Sequence, residues 1–240
     1  MEIIYIALLT IVAATVGTLT GFGSSTIMLP VIILFFPLPQ ALLFVGIIHW
    51  FNDIWKIILF KKGVHWKLLL GFGIPGIIAS FLGASLAITI PTQILSQILG
   101  ALLIAYVLLL AIKPTFKLAQ TNLTSVSGGS LSGFFAGIFG LGGAIRGLFL
   151  SAFDLPKSVY IFTSGAIALV IDSTRLVTYY VGGVRLSPLL TTGFLLFIPA
   201  SLVGAKIAKR VVNKIPQNKF RTVIALFLFL VGIKLLLFPG

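Results

Sequence analysis

Residues 20–37, TGFGSSTIMLPVIILFFP, and residues 139–156, FGLGGAIRGLFLSAFDLP, decide how this chain folds. Each stretch interrupts a long apolar run with glycines, resumes it, and stops at a proline. Sliding the chain by 119 positions superposes them, pairing Gly21 with Gly140, Gly23 with Gly142 and Pro37 with Pro156. The same shift pairs Asp53 with Asp172 and Lys56 with Arg175, and small loop insertions then carry Gly63 to Gly183, Gly83 to Gly204 and Pro91 to Pro216. An acid followed three residues later by a base, in matching apolar spans, points to an internal repeat. The halves run over 1–112 and 123–240, joined by a polar linker at 113–122.

Outside these stretches the composition sets the class. Apolar residues make up 59% of the 240 and charged residues 9%. A soluble domain is ~45–50% apolar and ~25% charged, so this chain has too few charges to cover a water-facing surface. It reads as a multi-pass integral membrane protein, with the lipid bilayer as its first partner. The apolar runs are ~20 residues long, which is helical span length and not the alternation of a membrane barrel. Spans are expected at about 40–60, 68–88, 93–112, 157–180, 187–205 and 222–238. The first 19 residues lack a basic leader and a cleavage site, and read as mature chain. The net charge of +13 suggests nucleic acid at first sight. In a membrane protein, however, basic residues mostly fix orientation, and no nucleic-acid partner is expected. With no cysteine there is no disulfide and no thiol chemistry.

Two stretches, 2–36 and 127–153, are too long for one ordinary span. If each crosses once, the repeats are parallel. Lys61, Lys62, Lys67, Lys113, Lys117 and Arg185 then lie on one side, and Lys157, Lys206, Lys209, Arg210, Lys214, Lys219 and Arg221 on the other. That split carries no orientation. If each is instead a hairpin that leaves on the side it entered, three full spans remain per half and the second half is inverted. All of these basic residues but Arg185 then share one side, and the positive-inside rule favours that arrangement. The expected fold is all-α and integral to the membrane: two inverted repeats, each a broken-helix hairpin plus three transmembrane helices. The 61–67 and 206–221 loops are cytoplasmic and both termini external. Inverted repeats with broken helices are the architecture of secondary transporters, which bind substrate near the midplane.

The breaks also suggest a chemistry. A helix arm that begins inside the membrane has first N–H groups without helical partners, carrying partial positive charge. Two such N-termini make an anion site without a metal or cofactor. The candidate binding residues are Gly21, Phe22, Gly23, Ser24, Ser25 and Thr26 at the first break, and Gly140, Gly142, Gly143, Ala144 and Arg146 at the second. Glycine runs in membrane helices also serve packing. Arg146 breaks the repeat, its counterpart being Ile27. An intramembrane Arg marks function by default, with a salt bridge to Asp172 or Asp53, or snorkelling, as the alternatives. Asp53 with Lys56 and Asp172 with Arg175 lie on one helical face each, as self-neutralising pairs or as a proton-coupling device, with His49 and Asn52 nearby. Four acids and two histidines scattered over the chain suggest no metal cluster, catalytic triad or nucleotide loop.

The GFGSS motif at 21–25, the KKGVHW loop at 61–66 and AGIFGLGGA at 136–144 resemble the sulfite exporter TauE/SafE family of membrane permeases. The resemblance covers nearly the whole chain. It implies movement of sulfite, sulfonates or other sulfur-containing anions across the cytoplasmic membrane of bacteria and archaea. The expected function is secondary export of a small anion, not enzymatic catalysis. An anion channel and a non-transporting scaffold are the alternatives.

Overall fold

The structure, a computed structural model, describes residues 2–61, 65–112, 119–212, 229, 233 and 235–238. Every regular element among them is helical: α1 (Glu2–Thr20), α2 (Ser25–Ile32), α3 (Leu38–Leu59), α4 (Trp66–Thr89), α5 (Thr92–Ile112), α6 (Asn122–Phe139), α7 (Gly142–Leu150), a 3-10 turn at Ser151–Phe153, α8 (Lys157–Val181) and α9 (Pro188–Val211). Helices α1, α3, α4, α8 and α9 are long and apolar enough to cross a membrane, with mean hydropathy between 1.3 and 2.2. The span expected at 222–238 falls largely outside the described residues.

The boundaries follow local chemistry. Pro37 and Pro156 both stand as N-caps, with φ −54°, ψ 141° and φ −53°, ψ 141°. A residue without an N–H and with φ already fixed starts a helix at no loss of hydrogen bonding. Helix α6 starts earlier than the 127 expected from hydropathy and takes residue 122 from the linker. The Thr121 hydroxyl accepts the Thr124 N–H at 3.1 Å, and that N-cap outweighs the polar composition of the first turn.

Both glycine breaks reverse the chain. Gly21 and Gly23 take φ +73° and +86°, in the region that only glycine enters without strain. The Gly23 N–H donates to Gly17 O at 3.1 Å, and Thr10 Oγ1 donates to Met28 Sδ at 3.9 Å. Contacts that move back along α1 as they move forward along α2 make the two arms antiparallel. At the second break Gly140 is left-handed at φ +67°. Its N–H bonds Ala136 O at 2.9 Å and the Leu141 N–H bonds Phe135 O at 3.2 Å, a glycine-terminated helix end. Gly142 then packs on Ser132 and Ala136, and Gly128 on Phe149, so α7 runs back along α6. The long arms rise about 28 Å and 27 Å at ~1.5 Å per residue, the short ones about 12–14 Å.

Small residues join helices distant in sequence. Gly129, Gly133 and Gly137 of α6 lie directly on the carbonyls of Phe72, Gly76 and Ser80 of α4, four residues apart on both helices. Without side chains between them the backbones touch, the usual way membrane helices gain packing. Gly204 of α9 similarly meets Ile11 and Ala14 of α1, and Thr15 Oγ1 donates to Gly204 O at 3.2 Å. At the centre α3 crosses α8. Gly46 meets Leu176 and Arg175, Gly165 meets Lys56, and Trp50 Nε1 donates to Ser173 Oγ at 2.9 Å. Rising numbers on α3 meet falling numbers on α8, so the two helices are antiparallel.

Candidate functional site

The two breaks meet. The Phe22 carbonyl lies against Gly143, where any Cβ would collide with it, and the Phe22 ring lies against Gly147. Ser164 of α8 ties the breaks together. Its hydroxyl donates to Gly21 O at 3.3 Å and accepts from Arg146 Nε at 3.0 Å. Arg146 is 1% exposed. The salt bridge expected as an alternative does not form: Asp53 and Asp172 hold other bases, and no described carboxylate pairs with Arg146. Its Nη2 has no partner among the described residues.

Other buried polar atoms also lack partners among the described residues, including Ser24 Oγ, Ser25 Oγ, both amide atoms of Asn52 and Thr163 Oγ1. Buried polar groups in folded proteins are nearly always hydrogen-bonded, so such a group points to a water or ligand. Ser24 and Ser25 open α2, whose first N–H groups lack helical partners. Thr26, by contrast, donates to Phe22 O at 3.1 Å and is satisfied. The glycines divide their work. Gly21, Gly23 and Gly140 make the turns, Gly142 packs on its own long arm, and Gly143 admits the Phe22 carbonyl. Ala144 is buried beside them.

Two of the four acids, Asp53 and Asp172, meet at His49, which corrects the expectation from spacing alone that acids and histidines are scattered. Lys56 Nζ is 2.7 Å from Asp53 Oδ1 and Arg175 Nε is 2.7 Å from Asp172 Oδ1, the expected i,i+3 pairs. The crossing of α3 and α8 also lays His49 Nδ1 2.7 Å from Asp53 Oδ2 and 3.3 Å from Asp172 Oδ2. Ligand-type atoms of His49, Asp53 and Asp172 all fall within 4.8 Å of one another. A divalent cation fits this set poorly, because Lys56 and Arg175 already hold one oxygen of each carboxylate. His49 Nδ1 lies within ion-pair distance of both carboxylates without being aligned as a hydrogen-bond donor to either.

A family model described as sulfite exporter TauE/SafE matches residues 6–235. The chain belongs to the TauE/SafE family. A comparison with curated proteins finds no match. Membership makes this TauE/SafE chain a multi-pass membrane transporter and not an enzyme.

The breaks of this TauE/SafE chain are related by the 119-residue shift, but their polar side chains are not. The counterparts of Ser24, Ser25, His49, Asn52, Arg146, Thr163 and Ser164 are Gly143, Ala144, Ala168, Ile171, Ile27, Phe44 and Val45. One member of each pair is polar and the other is apolar or bare. Ser24 and Ser25 stand at the first break, and Arg146 reaches it through Ser164, which also bonds Gly21 O. Sequence reasoning missed Ser164 and Thr163, which carry no local signal, and Gly46 with Gly165, which do. These glycines are 119 apart, and each seats the basic side chain of the opposite helix.

Proposed function

We propose that this chain exports small anions, sulfite or organosulfur anions, through one membrane-embedded site at the first helix break. The observation that carries the reading is Arg146: a buried guanidinium with a free Nη2 and no carboxylate partner among the described residues, tied through Ser164 to the first break. An oxoanion would neutralise it and take the free donors of Ser24, Ser25, Asn52 and Arg146. Export of an anion from a cell that is negative inside runs downhill by ~2.3 kcal/mol per charge per 100 mV, so a second ion is not required to drive it. Thermal stabilisation of the purified protein tests the reading. A ligand bound only by the folded form at 100 times its Kd adds ~2.7 kcal/mol. Sulfite, thiosulfate, sulfoacetate and taurine are to be compared with sulfate and chloride, and no shift with any anion would reject it.

The architecture we infer is two inverted repeats. The doubled-back hairpins and the antiparallel α3 and α8 support it. So does the Gln40 side chain, which donates to Arg185 O at 3.3 Å; single crossings at both breaks would put these two residues on opposite faces. Lys157 Nζ donates to Val212 O at 3.4 Å, at the other end of the bundle. The charge bias makes that end cytoplasmic. It carries Lys61, Lys67, Lys157, Lys206, Lys209 and Arg210, while Lys62, Lys113, Lys117, Lys214, Lys219 and Arg221 lie outside the described residues. Cysteines introduced singly at positions 67 and 209 are expected to react with an impermeant reagent only from the cytoplasmic side, and one at 185 only from outside. Reaction of 67 and 209 from different sides would end the inverted-repeat reading.

The two acid–base pairs are expected to be unequal. His49 approaches Asp53 more closely than Asp172, and Asp53 shares its helix with His49 and Asn52. Asp53→Asn should therefore reduce transport more than Asp172→Asn. Each variant also leaves a buried base unpaired, at a cost of ~3–5 kcal/mol. Flux in liposomes, normalised to folded protein, gives the comparison. Equal effects would make both pairs structural.

A further inference from the structure

We propose that His49 binds one proton for the second negative charge of a bound anion, so that a dianion travels with a proton and a monoanion without one. The proposal rests on the anion-site reading above and is carried by the position of the imidazole ring. Nδ1 stands between two carboxylate oxygens, at 2.7 Å from Asp53 and 3.3 Å from Asp172. Two carboxylate oxygens this close favour a hydrogen on Nδ1, which is within ion-pair distance of both while aligned on neither. The opposite edge of the ring points at the first break, where a Cβ on Gly23 would fall on Nε2. A further proton must therefore enter on Nε2, on the side of Ser24 and the free hydroxyls. The ring joins the carboxylate cluster to the anion site, with one nitrogen committed to each.

Counting charge gives the stoichiometry. On α3, Asp53 faces His49 and is balanced by Lys56; on α8, Asp172 faces it and is balanced by Arg175. The Tyr160 and Tyr179 hydroxyls donate to the carbonyls of Gly147 and Gly137 and add no charge. Arg146 on α7 supplies one uncompensated positive charge. A monoanion cancels it. A dianion leaves one negative charge in a medium of low dielectric, where an unpaired charge is costly. Protonation of Nε2 cancels that charge and adds an N–H donor aimed into the site. His49 has Ala168 as its repeat counterpart, so the device exists once, beside the same break as the other polar groups. In this arrangement the loaded site is neutral for either kind of cargo.

The test uses the full-length protein in detergent with two probes of fixed charge, sulfate (dianion) and methanesulfonate (monoanion). Affinity is measured between about pH 6 and about pH 9, spanning the range where a histidine commonly titrates. Calorimetry in two buffers of different ionisation enthalpy counts protons directly in the wild-type protein. The expected result is about one proton taken up per sulfate, with sulfate Kd rising by up to ~10-fold per pH unit toward the alkaline end of that pH range. Methanesulfonate should take up none, and its Kd should change by less than ~2-fold. In His49→Gln, sulfate should bind more weakly, without proton uptake and without the pH slope. Should that variant not fold, the wild-type proton counts decide alone. Equal uptake with both probes, no uptake with sulfate, or undiminished uptake in His49→Gln would overturn the proposal while leaving the anion site standing. Binding of neither probe would remove the anion site and this proposal with it.

Discussion

Arg146→Ala is expected to abolish measurable anion binding while the chain stays folded. Truncating one partner of a buried, hydrogen-bonded charge contact costs ~2–5 kcal/mol, or roughly 30-fold to roughly 5,000-fold in affinity. The fold should survive because the substitution orphans nothing charged. Asp53 and Asp172 keep Lys56 and Arg175, and Ser164 keeps its bond to Gly21 O at 3.3 Å. A buried cation without a carboxylate is itself a destabilising feature, so the ligand-free variant should melt at the wild-type temperature or above it. Arg146→Lys keeps the charge and loses the planar fork, so its affinity should lie between the two. The checks are melting temperature without ligand and Kd from ligand titration. Unchanged affinity in the alanine variant, or a melting temperature well below wild type, would return Arg146 to a structural role.

Gly133→Leu is expected to give no folded protein, and even Gly133→Ala should be severely destabilised. The new Cβ would land on the carbonyl and Cα of Gly76. Both are backbone atoms inside a helix, so no rotamer change relieves the clash, and α6 and α4 must separate along their shared length. Overpacking typically costs ~1–3 kcal/mol where side chains can give way, and here they cannot. Gly73 of α4 provides the control, since a Cβ there meets nothing within 4 Å. Gly73→Ala should be neutral or stabilising by roughly 0.5–1 kcal/mol, the helical preference of alanine over glycine. The ratio of monodisperse to aggregated protein after extraction distinguishes them. A well-folded Gly133→Leu variant would mean that α4 and α6 do not pack through this glycine row.

Membrane residence was legible because it depends on composition: 9% charge cannot clothe a soluble surface. The breaks and helix starts were legible because they depend on single residues. Gly21 and Gly140 take positive φ and Pro37 and Pro156 start helices whatever surrounds them. The Asp53–Lys56 and Asp172–Arg175 pairs follow from helix pitch alone. The start of α6 was misread because one N-cap bond at Thr121 counts for more than the mean hydropathy of a window.

The site itself was decided by packing. Gly142 and Gly143 are neighbours in sequence, yet one rests on its own arm and the other receives the Phe22 carbonyl, because adjacent residues on a helix point about 100° apart. No spacing rule predicts that Ser164 would hold Arg146, or that one histidine would touch both acids. Those contacts exist because Gly46 and Gly165 let α3 and α8 cross closely and antiparallel, and because glycine rows seat α4 against α6. Sequence alone therefore determined the membrane class, the breaks and the two local ion pairs, all of them properties of composition or of neighbouring residues. Only the tertiary structure decided which polar groups share a volume, since that depends on how closely distant helices approach, and the approach is limited by the backbone atoms that meet when side chains are absent.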